Sequence, residues 1–277
     1  MSDNRYSKRF AQLQKSGRKS FIPFTLLGWP DRQQSLEIVR SMIDSGVSAL
    51  ELGVAFSDPV ADGPVIARAA FETLESGFKV CDALALLQEA RKLDEDIPIG
   101  ILIYYNVILA YGVQKFFADA KKAGVDGVLI ADLPVENAGE VMPFARENDI
   151  ELIFIVAPVT PFDRLDKIVT AGGGFIYFVS RLGVTGTDKI ATGLSELKDL
   201  ILEIKKRTQL PICAGFGVSN KDNARKLFEI GVDGVIVGSR IIEIVRDNPN
   251  FAADLKKLFD EMNSACAEGH SLTINKQ

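Results

Sequence analysis

The chain has 277 residues, 47% of them apolar and 25% charged, with a formal net charge of −5. This excludes a disordered or fibrous chain and suits one large domain or two small ones. The acidic balance argues against nucleic acid and against an anionic membrane surface, since both select a basic face.

The start, Met1 to Phe10, is polar and carries no apolar leader. From Phe21 onward, short β-branched runs alternate with longer amphipathic stretches. The runs predict strands at Phe21–Leu27, Val47–Gly53, Ile97–Tyr104, Val125–Asp132, Glu151–Ala157, Phe175–Ser180, Pro211–Phe216 and Val232–Gly238. Helices are predicted at Gln33–Ser45, Val113–Ala123, Glu136–Asn148, Leu194–Thr208 and Asn220–Ile230. The most apolar stretch, Ile97 to Val113, is interrupted by Pro98, Gly100 and Asn106 and reads as a buried strand followed by a loop. Eight strands with intervening helices predict a single α/β domain, a (β/α)8 barrel with its core at about 21–245 and extra N-terminal and loop helices. A C-terminal helix is expected over 246–268 and a disordered tail over 269–277.

An internal echo supports the barrel. Gly46-Val47-Ser48-Ala49-Leu50-Glu51-Leu52-Gly53 resembles Gly124-Val125-Asp126-Gly127-Val128-Leu129-Ile130-Ala131, and both resemble Gly231-Val232-Asp233-Gly234-Val235-Ile236-Val237-Gly238. In each, a helix ends at Gly and a strand begins. Alternation puts Ala49, Gly127 and Gly234 on the barrel interior, with Glu51, Leu129 and Ile236 further along the same face. Glu51 thus stands where its echoes carry Leu and Ile. A carboxylate there is costly to desolvate. It sits near the C-terminal end of its strand, the end that carries catalysis in such barrels. The competing reading is an interior Glu held by a Lys or Arg.

The loop after Glu51 holds Asp58-Pro59 and Asp62-Gly63-Pro64. Asp62 reads either as the N-cap of the following helix, which spacing slightly favours, or as a second carboxylate over the barrel mouth. Three glycine sites suggest a phosphate cradle: Gly183-Val184-Thr185-Gly186-Thr187, Gly215-Phe216-Gly217, and Gly238-Ser239. The stretch from Arg181 to Gly193, poor in apolar residues, reads either as a lid or as a plain connection. Trp29, between Gly28 and Pro30, reads as a loop-top aromatic at an interface. The three Cys form no C-x-x-C pair and read as reduced thiols of a cytosolic protein. With His270 the single His, no metal site is expected, and carboxylates are the default acids and bases.

Leu50-Glu51-Leu52-Gly53, Phe56-Ser57-Asp58-Pro59 with Ala61-Asp62-Gly63-Pro64, Ala131-Asp132-Leu133-Pro134, Ser180 through Gly186, Gly215-Phe216-Gly217 and Gly238-Ser239 closely resemble, in order, the tryptophan synthase alpha subunit family. The resemblance implies cleavage of indole-3-glycerol phosphate to indole and glyceraldehyde 3-phosphate. It implies Glu51 as general acid–base, Asp62 as acceptor for the indole N–H, and Tyr177 as a positioning group. It further implies phosphate binding at Gly186, Phe216, Gly217, Gly238 and Ser239, and an indole pocket of Phe24, Leu102, Leu129 and Phe216. No cofactor is implied in this chain. The implied partner is a pyridoxal-phosphate beta subunit in a cytoplasmic alpha2-beta2 tetramer, docked through the Asp58-Pro59 loop. Trp29, where the family usually has Asp, and Val54-Ala55, where it usually has Ile-Pro, depart from the pattern. Two alternatives are a free-standing lyase and a non-catalytic subunit that binds a phosphorylated ligand.

Overall fold

The computed structural model describes residues 4–179, 194–215 and 217–274, with side chains through residue 269. Helix α1 (Arg5–Lys15), capped by the Asn4 side chain on the Ser7 N–H, precedes β1 (Ser20–Leu26). Then follow α2 (Arg32–Asp44), β2 (Leu50–Gly53), α3 (Pro64–Glu75), α4 (Val80–Leu93), β3 (Ile99–Ile103), α5 (Tyr105–Tyr111), α6 (Val113–Lys122) and β4 (Gly127–Ile130). After a 3-10 turn at Val135–Glu140 come α7 (Met142–Glu147), β5 (Glu151–Val156), α8 (Phe162–Ala171) and β6 (Ile176–Val179). The chain ends through α9 (Leu194–Arg207), β7 (Ile212–Gly215), α10 (Lys221–Glu229), β8 (Gly234–Val237), α11 (Ser239–Asp247) and α12 (Ala252–Ile274). Among the described residues the strands pair in order, all parallel, and β8 returns to β1, closing the (β/α)8 barrel.

The repeated octapeptide has a structural cause. Gly46, Gly124 and Gly231 have φ of 69°, 85° and 103°, backbone that any side chain would strain. Two residues on, a side chain accepts from an N–H in the first two residues of the preceding strand. Ser48 Oγ accepts from Phe21 at 3.0 Å, Asp126 Oδ2 from Ile99 at 2.9 Å and Asp233 Oδ2 from Ile212 at 3.0 Å. The repeat therefore ends a helix and fastens two strands at the base of the barrel.

Register places Glu51 opposite Phe24 and Gly100, and Gly100 opposite Gly127. The lateral neighbours of Glu51 toward β4 are thus glycines. Tyr6 of α1, 1% exposed, fills the space they leave. A Cβ at Gly100 would collide with its hydroxyl, and one at Gly127 would come within 3.0 Å of its ring. Tyr6 also packs on Phe175 at 5.7 Å between centroids. Burying such a ring is worth about 2–3 kcal/mol, so Tyr6 is the buried anchor of a largely polar helix that is also held by Phe10 on Phe175 and by the Arg5–Asp126 ion pair.

Four expectations are corrected. The helix expected over 136–148 is split, because Pro143 lacks the N–H to continue a helix and instead sits at the start of α7. The stretch after β3 is a short helix, α5, started where the Tyr105 N–H donates to Asp132 Oδ1 at 2.7 Å. The last helix begins at Ala252 and runs to Ile274, while residues 246 and 247 close α11. Trp29 is 2% exposed, because its N–H finds a carboxylate partner on α3.

Candidate active site

Glu51 lies 4% exposed on the interior face of β2. Burial, and secondarily the nearby Asp62 charge, push its carboxyl up to about 8. No cation is among the groups that act on it, so the reading of an interior Glu held by Lys or Arg fails among the described residues. Near neutral pH this side chain is poised between acid and base.

Asp62 is not the N-cap of α3. That position is Gly63, with Pro64 in the first turn and no side-chain cap bond. Asp62 turns instead toward β3: its Oδ2 accepts from the Tyr104 hydroxyl at 3.0 Å. The same hydroxyl accepts from the Ala61 N–H at 3.1 Å, and the Tyr104 ring stacks on Phe56 at 5.0 Å. Burial raises the Asp62 carboxyl above its usual value, and the Tyr104 bond pulls it back down. Burial and the Asp62 charge hold the Tyr104 hydroxyl well above its usual range, so it stays a donor. The loop is closed internally by Val60 N–H to Asp58 O at 2.8 Å and Asp62 N–H to Pro59 O at 3.0 Å. Its tip is exposed at Asp58 and at Val60, the latter 84% exposed, with Pro59 half-buried between them.

Tyr177, 7% exposed, comes from β6 on the same interior face. A Cβ at Gly215 would collide with its hydroxyl, so the glycine at the end of β7 makes room for it. Burial, then the charges of Glu51 and Asp62, raise its hydroxyl well above the usual value. Glu51, Asp62 and Tyr177 therefore share one electrostatic environment. Phe24 and Leu129 are buried beside it and Leu102 is half-buried.

On the other side of β1 from β2, β8 leads into α11, which starts at Ser239 behind an N-cap, Gly238, that makes no side-chain bond. Its first N–H groups are uncapped by a side chain and carry the positive end of the helix dipole. Gly217, after β7, has φ 77°. The Phe24 ring links the two halves of the pocket. A Cβ at Gly53 would come within 2.8 Å of it, and one at Gly238 within 2.9 Å. Gly186, Phe216 and the stretch from Arg181 to Gly193 lie outside the described residues. Among the described residues no cluster of three or more His, Cys, Asp or Glu could hold a metal ion, and Cys81, Cys213 and Cys266 are free thiols.

A family model described as tryptophan synthase alpha chain matches residues 10–269. The chain belongs to that family. A tryptophan synthase alpha chain from Methanothermobacter thermautotrophicus is 43% identical over 233 residues, covering 83% of this chain and 84% of its own length. One from Neisseria gonorrhoeae is 39% identical over 263 residues, covering 95% and 99%. The crystal structure of the Legionella pneumophila tryptophan synthase alpha chain superposes with a TM-score of 0.87 at 30% identity, covering 96% of this chain and 98% of that one.

Sequence reading missed Tyr104 and Tyr6. Tyr104 sits at the end of a predicted strand with a second Tyr beside it, and only the fold shows which one reaches Asp62. The signal for Tyr6 was indirect: glycines at 100 and 127, on adjacent strands, leave a void that something must fill.

Proposed function

We propose that this chain cleaves indole-3-glycerol phosphate to indole and glyceraldehyde 3-phosphate, with Glu51 as the general acid–base. The single observation that carries the assignment of Glu51 is a carboxyl buried on the barrel interior, with no cation acting on it among the described residues, so that burial pushes it up to about 8. Neutral Glu51 protonates indole C3, which puts positive charge on the ring nitrogen. Asp62, held by Tyr104, accepts the indole N–H and stabilises that charge as it develops. The C3–C3′ bond then breaks with its electron pair returning to the ring. Glu51, now a carboxylate, takes the C3′ hydroxyl proton as the aldehyde forms. Tyr177 positions Glu51 and the substrate, and Phe24, Leu102, Leu129 and Phe216 enclose the indole. Gly186, Gly217, Gly238 and Ser239 hold the phosphate, the last two supported by the uncapped start of α11.

The family implies a beta-subunit partner. In our reading the assembly is an alpha2-beta2 tetramer in the cytoplasm, with pyridoxal phosphate in the partner and indole passed directly to it. No described helix is long and apolar enough to cross a membrane. The partner grips the loop tip at Asp58-Pro59, exposed at Asp58, which shares a loop with Asp62. A catalytic carboxylate displaced by about 1 Å can lose roughly a hundredfold in rate, so gripping the tip activates the lyase. The carboxylate pair supports this over a non-catalytic subunit. The test is indole release by the chain alone and with its beta subunit, repeated with Asp58→Ala. Activation of wild type that Asp58→Ala abolishes supports the reading. An isolated chain as fast as the complex favours a free-standing lyase.

A further inference from the structure

Trp29, Glu72 and Arg246 meet where three elements that serve the site converge. Trp29 lies just past β1, whose Phe24 lines the pocket. Glu72 is on α3, the helix that starts two residues after Asp62. Arg246 is on α11, the helix that starts at Ser239. The Trp29 indole N–H donates to Glu72 Oε2 at 2.8 Å, and Arg246 Nη2 donates to the same oxygen at 3.2 Å. The Arg246 guanidinium lies 5.4 Å from the Trp29 ring centroid, within cation–π range. Each member thus touches the other two. α3 packs against α11 along this line. The turn carrying Trp29 is itself fixed: the Leu27 N–H donates to Gly53 O at 2.9 Å and the Gly28 N–H to Ser35 Oγ at 3.0 Å.

We infer that Trp29, Glu72 and Arg246 form a clamp that sets the spacing between Asp62 and the phosphate-binding start of α11, making them positioning residues for the lyase reaction. The inference deepens the proposed function and rests on it. A helix moves as a rigid body. Where α3 lies fixes the approach of Asp62, and where α11 lies fixes the N–H groups at Ser239. A substrate that reaches from an indole nitrogen to a phosphate is sensitive to the distance between the two. Trp29 matters through its N–H, which ties the carboxylate to the β1 turn, and through its ring, which carries the guanidinium.

The experiment is steady-state indole release from indole-3-glycerol phosphate by the full chain with its beta subunit. It compares wild type, Trp29→Phe, Glu72→Ala, Glu72→Gln and Arg68→Ala, all well below their melting temperatures. Trp29→Phe keeps the ring and removes the donor. Glu72→Gln keeps an oxygen acceptor for the indole N–H. Arg68 bonds the other Glu72 oxygen from an exposed position and lies outside the clamp. A loosened site should raise KM about fivefold in Trp29→Phe and in Glu72→Ala, with partial rescue in Glu72→Gln and wild-type KM in Arg68→Ala. A merely structural role lowers the melting temperature and leaves KM untouched. That result in Trp29→Phe overturns the clamp even if Glu72→Ala fails to fold. A wild-type complex that releases no indole overturns the proposed function, and the clamp with it.

Discussion

Replacing Glu51 by Gln should make the protein more stable at alkaline pH while removing its activity. Glu51 titrates near 4.5 when solvated and is pushed up to about 8 by burial and by Asp62. Between these two values the folded chain holds a proton that the unfolded chain has lost. The unfolded state then binds fewer protons, so stability falls as pH rises. The slope is about 1.4 kcal/mol per pH unit across that window, which accumulates to about 4–5 kcal/mol by pH 9. Gln cannot ionise and escapes this loss. It leaves a buried amide in place of a neutral acid, at a cost of about 1–3 kcal/mol that does not vary with pH. The measurable quantity is therefore a difference of differences. Urea unfolding of wild type and Glu51→Gln at pH 5, 7 and 9 should give a gap that moves in favour of the variant by several kcal/mol between the first and last. A gap that stays constant within about 1 kcal/mol, relative to the shift worked out from linkage, refutes the claim that Glu51 is held protonated by burial.

Asp62→Asn should keep a melting temperature close to wild type, because Gly63 and not Asp62 caps α3, and should lower indole release by roughly a hundredfold or more. Near-normal turnover in that variant would remove Asp62 from the chemistry. Tyr104→Phe preserves the stack on Phe56 but deletes the bond that pulls the Asp62 carboxyl down. Without that bond the Asp62 carboxyl rises further, so the acidic limb of the kcat/KM profile should move to higher pH. An unmoved limb would mean that Tyr104 does not tune Asp62.

The barrel was legible because its cues are local. Buried parallel strands read as continuous apolar runs, and the Gly-Val-x repeat marks where helices stop. The strands were read too long: Val47–Gly53 is strand only from Leu50, with Ser48 tied to Phe21 as a lead-in. Glu51 was legible because the repeat supplied a register against which a charge stands out. What stayed hidden depends on contacts between distant segments. By spacing alone Asp62 has the context of a cap, the family resemblance pointed beyond that, and the bond from Tyr104, 42 residues away, was visible from neither. Trp29 beside Pro30 has the context of an exposed turn, and its burial depends on Glu72 and Arg246. Tyr6 belongs to a polar helix, and its place in the barrel is visible only from the two glycines it fills against.

The most direct test of the central claim is single-turnover indole release from bound indole-3-glycerol phosphate by Glu51→Gln in complex with the beta subunit. Losing a positioned acid–base group costs on the order of 10²–10⁴ in rate. The account predicts a loss in that range, with substrate affinity within a few-fold of wild type. A variant that still releases indole at more than about a tenth of the wild-type rate, against the range expected for a lost general acid–base, contradicts it.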